Sequence, residues 1–167
     1  MGARTTDVVV AGLGGQGVLK ASDILAQVAF DAGLDVKKSE IHGMAQRGGS
    51  VTSDVRFGSE VFSPMVPAGE ADFVVVMAPE EVEGSRRPLR QGGVLIVPDD
   101  IPAGSLESSR SLNVALLGVL SAYLSIPESD WLAAVKANLP EKLHQANMKA
   151  FALGRSIGQS KSPASAN

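Results

Sequence analysis

Apolar residues come along this chain in short bursts, and their spacing switches between two periods. Asp7–Ala11 (DVVVA) is a β-branched run of the length of one buried strand. From Val18 to Ala32 the spacing is helical, with Val18, Leu19, Ile24, Leu25, Val28 and Ala29 on one face. Gly33 then stops the helix. Leu34–Lys38 predicts a second strand, and Ser39–Gly49 is polar, Gly-rich and aperiodic, so it reads as a loop. Ser50–Phe57 alternates: Val51, Ser53, Val55 and Phe57 on one side, Thr52, Asp54 and Arg56 on the other. With the Gly58-Ser59 turn and Glu60–Ser63 returning, this predicts an antiparallel hairpin. Phe73–Met77 (FVVVM) and Val94–Val97 are further core strands. Pro79–Arg87 predicts a short helix, acidic early and basic late. Asp99–Arg110 reads as a surface loop, followed by helices at Asn113–Leu124, Ser129–Lys136 and Glu141–Arg155.

Alternating strands and helices predict an α/β fold: a three-layer α/β/α sandwich, its sheet mostly parallel with one antiparallel hairpin. The strand, Gly loop, helix, strand opening is Rossmann-like. Residues 1–157 are expected to form a single domain, and Gly158–Asn167 (GQSKSPASAN), small and polar, a disordered C-terminal tail.

Composition narrows the function. The 167 residues carry a net charge of −3, from 15 Lys+Arg against 18 Asp+Glu. There is no basic excess to neutralise many phosphates, so nucleic-acid binding is not expected. Cysteine is absent, which excludes disulfides, Cys-ligated zinc, an iron–sulfur cluster held by this chain and a cysteine nucleophile. No apolar stretch approaches the roughly 18 residues of a membrane helix. The start, MGARTTDVVVAG, lacks the layout of a signal peptide, so the expected location is the cytoplasm.

GLGGQG fits G-x-G-x-x-G with Gly12, Gly14 and Gly17, between a strand and a helix. Glycines let the backbone approach a ligand, and a helix N-terminus offers N–H groups and partial positive charge, so this is where a phosphate would bind. The pattern does not identify the ligand. A dinucleotide site wants an acid after the second strand; Glu40 stands there, but at the start of another Gly-rich loop. In that loop His42 can carry a proton near neutral pH, Arg47 can clamp a carboxylate or phosphate, and Gln46 can donate and accept. Taken singly, each reads better as loop scaffolding, surface or locally hydrogen-bonded. His144 and Trp131, both on helices, read as structural, and Asp54 with Arg56 as a surface pair.

Taken together the segments are more specific. GLGGQGVLKASDILA, KKSEIHGMAQRGGSVTSDVRFG and VFSPMVPAGEADFVV resemble, in order, the gamma subunit or domain of 2-oxoacid:ferredoxin oxidoreductases. SEIHGMAQRGGSV is most similar to the small subunit of the branch acting on indolepyruvate, and SLNVALLGVLSAYLSIP and NMKAFALGR also look like the family. The resemblance spans about residues 7–157. It departs at APEEVEGSRRPLRQGG, where Gly84 and Pro88 flank Arg86 and Arg87.

The resemblance implies oxidative decarboxylation of an aryl pyruvate to its acyl-CoA. Thiamine diphosphate with Mg²⁺ and iron–sulfur clusters would be carried by a large partner subunit, with ferredoxin as acceptor and coenzyme A as co-substrate. This chain would not act alone. Gly12, Gly14, Gly15, Gln16 and Gly17 would cradle the pyrophosphate of coenzyme A, with Lys20 and Ser22 in reach. His42, Gln46 and Arg47 would line the active-site wall or the subunit seam. An apolar face left exposed for the partner could also pair two copies of the isolated chain. The competing expectation is a free-standing Rossmann-like module that binds a dinucleotide or flavin for itself.

Overall fold

A computed structural model describes residues 4–42 and 49–162 of the chain. The elements are β1 (Thr6–Leu13), α1 (Val18–Asp31), β2 (Asp35–His42), β3 (Ser50–Gly58), β4 (Ala71–Val76), β5 (Leu89–Ile96), α2 (Leu112–Ser121), α3 (Glu128–Asn138) and α4 (His144–Lys161). The five strands form one sheet in the order β2-β3-β1-β4-β5. β1, β4 and β5 pair in parallel, while β3 runs antiparallel to both of its neighbours, β1 and β2. The sheet is therefore mixed, with β3 as the reversed strand.

The α/β order is as the alternation predicts, but the hairpin sits elsewhere. β3 pairs with β2 from Asp35↔Gly58 to His42↔Val51, and Glu60–Ser63 forms no strand. Pro64 and Pro67 follow that segment, and side chains rather than a partner strand hold its backbone: Asp35 Oδ2 accepts the Val61 N–H and Asp54 Oδ2 the Val66 N–H, both at 2.8 Å. The same correction lengthens β2, which runs through Ser39–His42, read from sequence as loop. As an edge strand it needs little apolar surface, so its charges hid it. Lys38 there pairs with Asp23 of α1 and with Glu40.

Pro79–Arg87 is likewise no α-helix: it holds a single 3-10 turn, Pro79–Glu81, before the chain turns into β5. Beyond Arg155, α4 continues to Lys161, so the segment expected as tail from Gly158 on starts with the last helical turn.

The two faces of the sheet are covered differently. Val8 and Val10 of β1, Val55 and Phe57 of β3, Val75 of β4 and Ile96 of β5 pack in one cluster with the buried residues of all four α-helices. Residues of the opposite parity, Val9, Val74, Val76 and the half-buried Leu95, pack instead with Val66 and Val82, which belong to the two irregular connections flanking β4. That second covering layer is thus built of loop and a 3-10 turn. On the helical side, α2 is apolar all round and fully enclosed from Asn113 to Ser121, as a helix buried on every side must be. α4 crosses it through Gly118, Gly154 and Gly158, each of whose missing Cβ would run into backbone of the facing helix. Trp131 of α3 stacks on Phe151 of α4 with ring centres 5.8 Å apart, the structural role expected of it. No helix among the described residues is long and apolar enough to cross a membrane.

Candidate functional site

The end of β1 leads directly into the Gly-rich turn and the start of α1. Gly12 is buried inside β1, where a Cβ would press on Gln16 Oε1 and Val18 Cγ2 at 2.9 Å each. The turn is closed by two reciprocal bonds: the Leu13 N–H donates to Gln16 Oε1 at 2.7 Å, and the Gln16 N–H donates to the Leu13 carbonyl at 3.1 Å. Gln16 Oε1 therefore shapes the loop, while the residue itself lines the hollow beside the turn. Gly14 donates to the Gly49 carbonyl at 2.9 Å, anchoring the turn to the start of β3. Gly15 and Gly17 take positive φ, 89° and 81°, a region a Cβ disfavours. Their N–H groups meet no acceptor among the described residues. With the first-turn amides of α1, which have no intrahelical partner, they form an outward-facing set of donors. No acidic residue stands in the first turn of α1, so nothing opposes an anion there.

Two hollows flank this turn. One, of about 490 Å³, is bounded by Gly15, Gln16 and Gly17 on one side and by Ser109, Arg110 and Asn113 on the other, with Met77 at its floor. It brings the start of α2 to the start of α1. The other, of about 420 Å³, lies between Leu13, Gly14, Gly17, Lys20, His42 and Val51. His42 ends β2 in register with Val51, exposed, so the structure sets it and Lys20 on one side of the Gly turn.

Ser22 is not part of either hollow. It is fully buried and its hydroxyl donates to the Leu19 carbonyl at 2.9 Å. Gln46 and Arg47 lie outside the described residues. Glu40, the acid that a dinucleotide site would need, is bound by Lys38 Nζ at 3.0 Å. The other histidine, His144, has Nε2 2.7 Å from the Leu139 carbonyl at the end of α3, a structural contact.

Arg110 was not among the sequence candidates. It stands in a short 3-10 turn, Ser109–Ser111, that opens α2. Ser108 caps that turn by accepting the Arg110 N–H at 3.2 Å. The sequence signal was available: Ser-x-Arg before an apolar helix is a capped helix start carrying a cation. It was hidden because the partner loop lies so far away along the chain.

Behind Asp54 and Arg56 the sheet carries a charged cluster. Arg56 pairs not with Asp54 but with its cross-strand neighbour Asp7, Nε to Oδ1 at 2.9 Å. Asp72 accepts Arg4 and Arg90 at 2.9 and 2.8 Å and the Asp7 N–H at 2.9 Å. Burial pushes the Asp72 carboxyl up, but these donors outweigh it and hold its pKa below the ordinary value. At Asp54 the balance falls the other way: burial raises its pKa above the ordinary value, against the Val66 amide and the nearby Arg56. These groups fix structure and stand apart from the Gly turn.

Residues 7–106 match the family described as pyruvate ferredoxin/flavodoxin oxidoreductase. The chain is 31% identical to the indolepyruvate oxidoreductase subunit IorB of Thermococcus kodakarensis, over 89% of this chain and 93% of that one. Its fold is similar to the keto/oxoacid ferredoxin oxidoreductase gamma subunit of Geobacter sulfurreducens, with TM-score 0.76 at 24% identity, covering 93% of this chain and 99% of that chain. It is also similar to part of the 2-oxoglutarate:ferredoxin oxidoreductase of Magnetococcus marinus, whose structure holds 2-oxoglutarate, coenzyme A and succinyl-CoA. There the TM-score is 0.79 at 22% identity, and the match covers 94% of this chain but 31% of that one. The Gly turn and its two hollows thus lie within the matched segment and beside it, in a chain that belongs to the pyruvate ferredoxin/flavodoxin oxidoreductase family.

Proposed function

We propose that this chain is the small, gamma-type subunit of a cytoplasmic 2-oxoacid:ferredoxin oxidoreductase that converts indolepyruvate, or a close aryl pyruvate, to its acyl-CoA and passes the electrons to ferredoxin. The observation that carries the substrate class is the likeness to the indolepyruvate oxidoreductase subunit over nearly the full length of both chains. The chain has no cysteine for iron–sulfur clusters. Among the described residues no three His, Asp or Glu side chains gather to hold a metal ion. By the likeness to subunits of multi-subunit oxidoreductases, clusters, Mg²⁺ and thiamine diphosphate are assigned to a large partner subunit, where the thiamine would supply the decarboxylation chemistry.

The part assigned to this chain is to bind and orient coenzyme A. The amides of Gly15 and Gly17, which meet no acceptor among the described residues, and the start of α1 receive the pyrophosphate. Arg110, at the mouth of the larger hollow, clamps a phosphate oxygen by a charge-assisted bond. Lys20 adds charge from the other side, and His42 faces the partner. The Gly turn is held by Gln16 and Gly49 rather than by the ligand, so little reorganisation accompanies binding.

The test is the assembled complex, assayed for indolepyruvate-dependent reduction of an acceptor with coenzyme A varied. Arg110→Ala should raise KM for coenzyme A while KM for indolepyruvate stays put. A chain that purifies without a large subunit and retains a nicotinamide or flavin nucleotide would overturn the reading.

A further inference from the structure

The helical side of the sheet is closed, but the other side is not, and one segment crosses it under unusual restraint. Val61–Val66 is tied down along its length: Asp35 takes the Val61 N–H, Asp54 takes the Val66 N–H, and Arg56 Nη1 donates to the carbonyls of both Ser63 and Met65 at 3.1 Å. Arg56 is itself fixed by Asp7. Val61 is buried and Val66 packs on the small second core. Between these anchors the strap turns Phe62 outward, 86% exposed, and Met65, 54% exposed. Ile41, on the same sheet face in register with Thr52, is 52% exposed. Four side-chain hydrogen bonds hold this strap, yet they leave a phenylalanine in water; exposed large apolar side chains on a rigid base are the mark of an interface.

We propose that this helix-free face is where the large subunit docks, with Phe62 as its aromatic anchor and Met65 and Ile41 as further exposed apolar side chains on the same face. The inference rests on the subunit reading above. What selects the occupant is that this fold makes up only 31% of the matched Magnetococcus chain. A domain that relatives carry within a longer chain must, when free-standing, meet the remainder through a surface of its own. Three of the five large apolar side chains exposed among the described residues lie on this face. The partner surface it fits is an apolar pocket that accepts a phenyl ring.

The experiment measures binding of this chain to the co-expressed, tagged thiamine- and iron–sulfur-bearing subunit. Phe62→Ser should weaken the complex by about tenfold or more, and Met65→Ser by less. The unfolding temperature of the isolated chain should not move, because Phe62 contributes nothing to its core. Phe30→Ser, at a side chain 70% exposed on α1, should leave binding unchanged. Wild-type binding by Phe62→Ser would overturn the proposal alone. So would an isolated wild-type chain that dimerises through Phe62 while its Phe62→Ser variant still joins the large subunit. If the wild-type chain binds no such subunit, the functional reading itself falls.

Discussion

The side-chain amide of Asn113 donates to the main-chain carbonyl of Gly17 at 3.2 Å, across 96 positions of sequence. Its own carbonyl oxygen accepts the Val114 N–H at 2.9 Å. One buried side chain thus satisfies a first-turn amide of α2 and holds Gly17, the N-cap of α1, so a single group ties together the two helix starts that bound the larger hollow. Gly17 makes this contact only because it has positive φ and no Cβ; a methyl there would meet the Asn113 amide. Gly17→Ala should therefore cost about 1–2 kcal/mol in left-handed strain alone, with the clash added. Asn113→Ala should cost about 1 kcal/mol. The double variant should fall short of the sum, because removing Asn113 relieves the clash but not the strain. Chemical denaturation of the four chains checks it; strict additivity would mean that the two residues do not touch.

Arg110 and Ser22 separate the geometric reading of the Gly turn from the one drawn from sequence. Ser22 is spent on the Leu19 carbonyl inside the helix, so Ser22→Ala should leave the affinity for coenzyme A unchanged in the assembled enzyme. Arg110→Ala should weaken it by about tenfold, as loss of a charge-assisted phosphate contact does. The residual binding should also depend less on salt, since one cation has left the site. Equilibrium titration at two ionic strengths distinguishes the pair.

The α2–α4 crossing sets how close the helical layer can pack. At Gly154 an added Cβ would overlap the Ala115 carbonyl, and at Gly118 the Phe151 carbonyl; both obstacles are backbone and cannot rotate away. Gly154→Ala should destabilise the chain by about 1–3 kcal/mol, the usual cost of overpacking, despite the better helix propensity of alanine. A urea midpoint equal to the wild type would show that the helices separate freely.

Asp54 and Asp72 should bend the pH–stability curve in opposite directions. The Asp72 pKa is lowered on folding, against its burial, by the Asp7 amide and the two arginines. Its stabilisation is therefore present above the ordinary value of 3.8 and lost as pH falls through the lowered one. The Asp54 pKa is raised by burial. Its contribution is complete below 3.8 and declines as pH rises through the raised value. Asp54→Asn keeps an acceptor for Val66 without the buried charge, so it should remove that decline and be neutral or stabilising at pH 7. Asp72→Asn should cost about 1.5–3 kcal/mol at pH 7, and its curve should lose the fall in acid. Denaturation midpoints from about pH 3 to 7 test both.

What the sequence alone determined is local or periodic. β1, the Gly turn, α1 and the apolar helix α2 were legible because hydrophobic period and cap chemistry are written within one turn or strand of each other. The family followed from ordered motifs that need no geometry. What the tertiary structure decided is every relation between distant segments. β2 reads as polar because an edge strand borrows its stability from β3 through main-chain bonds that side-chain patterning does not record. The Asp54 and Arg56 side chains override a plausible turn at Gly58-Ser59 by binding the following backbone, and so move the hairpin. Arg110 shares a hollow with the Gly turn because the start of α2, tied to Gly17 by Asn113, lies beside the start of α1. Such contacts arise where chain entropy has already been overcome by the core, so no window of neighbouring residues contains them.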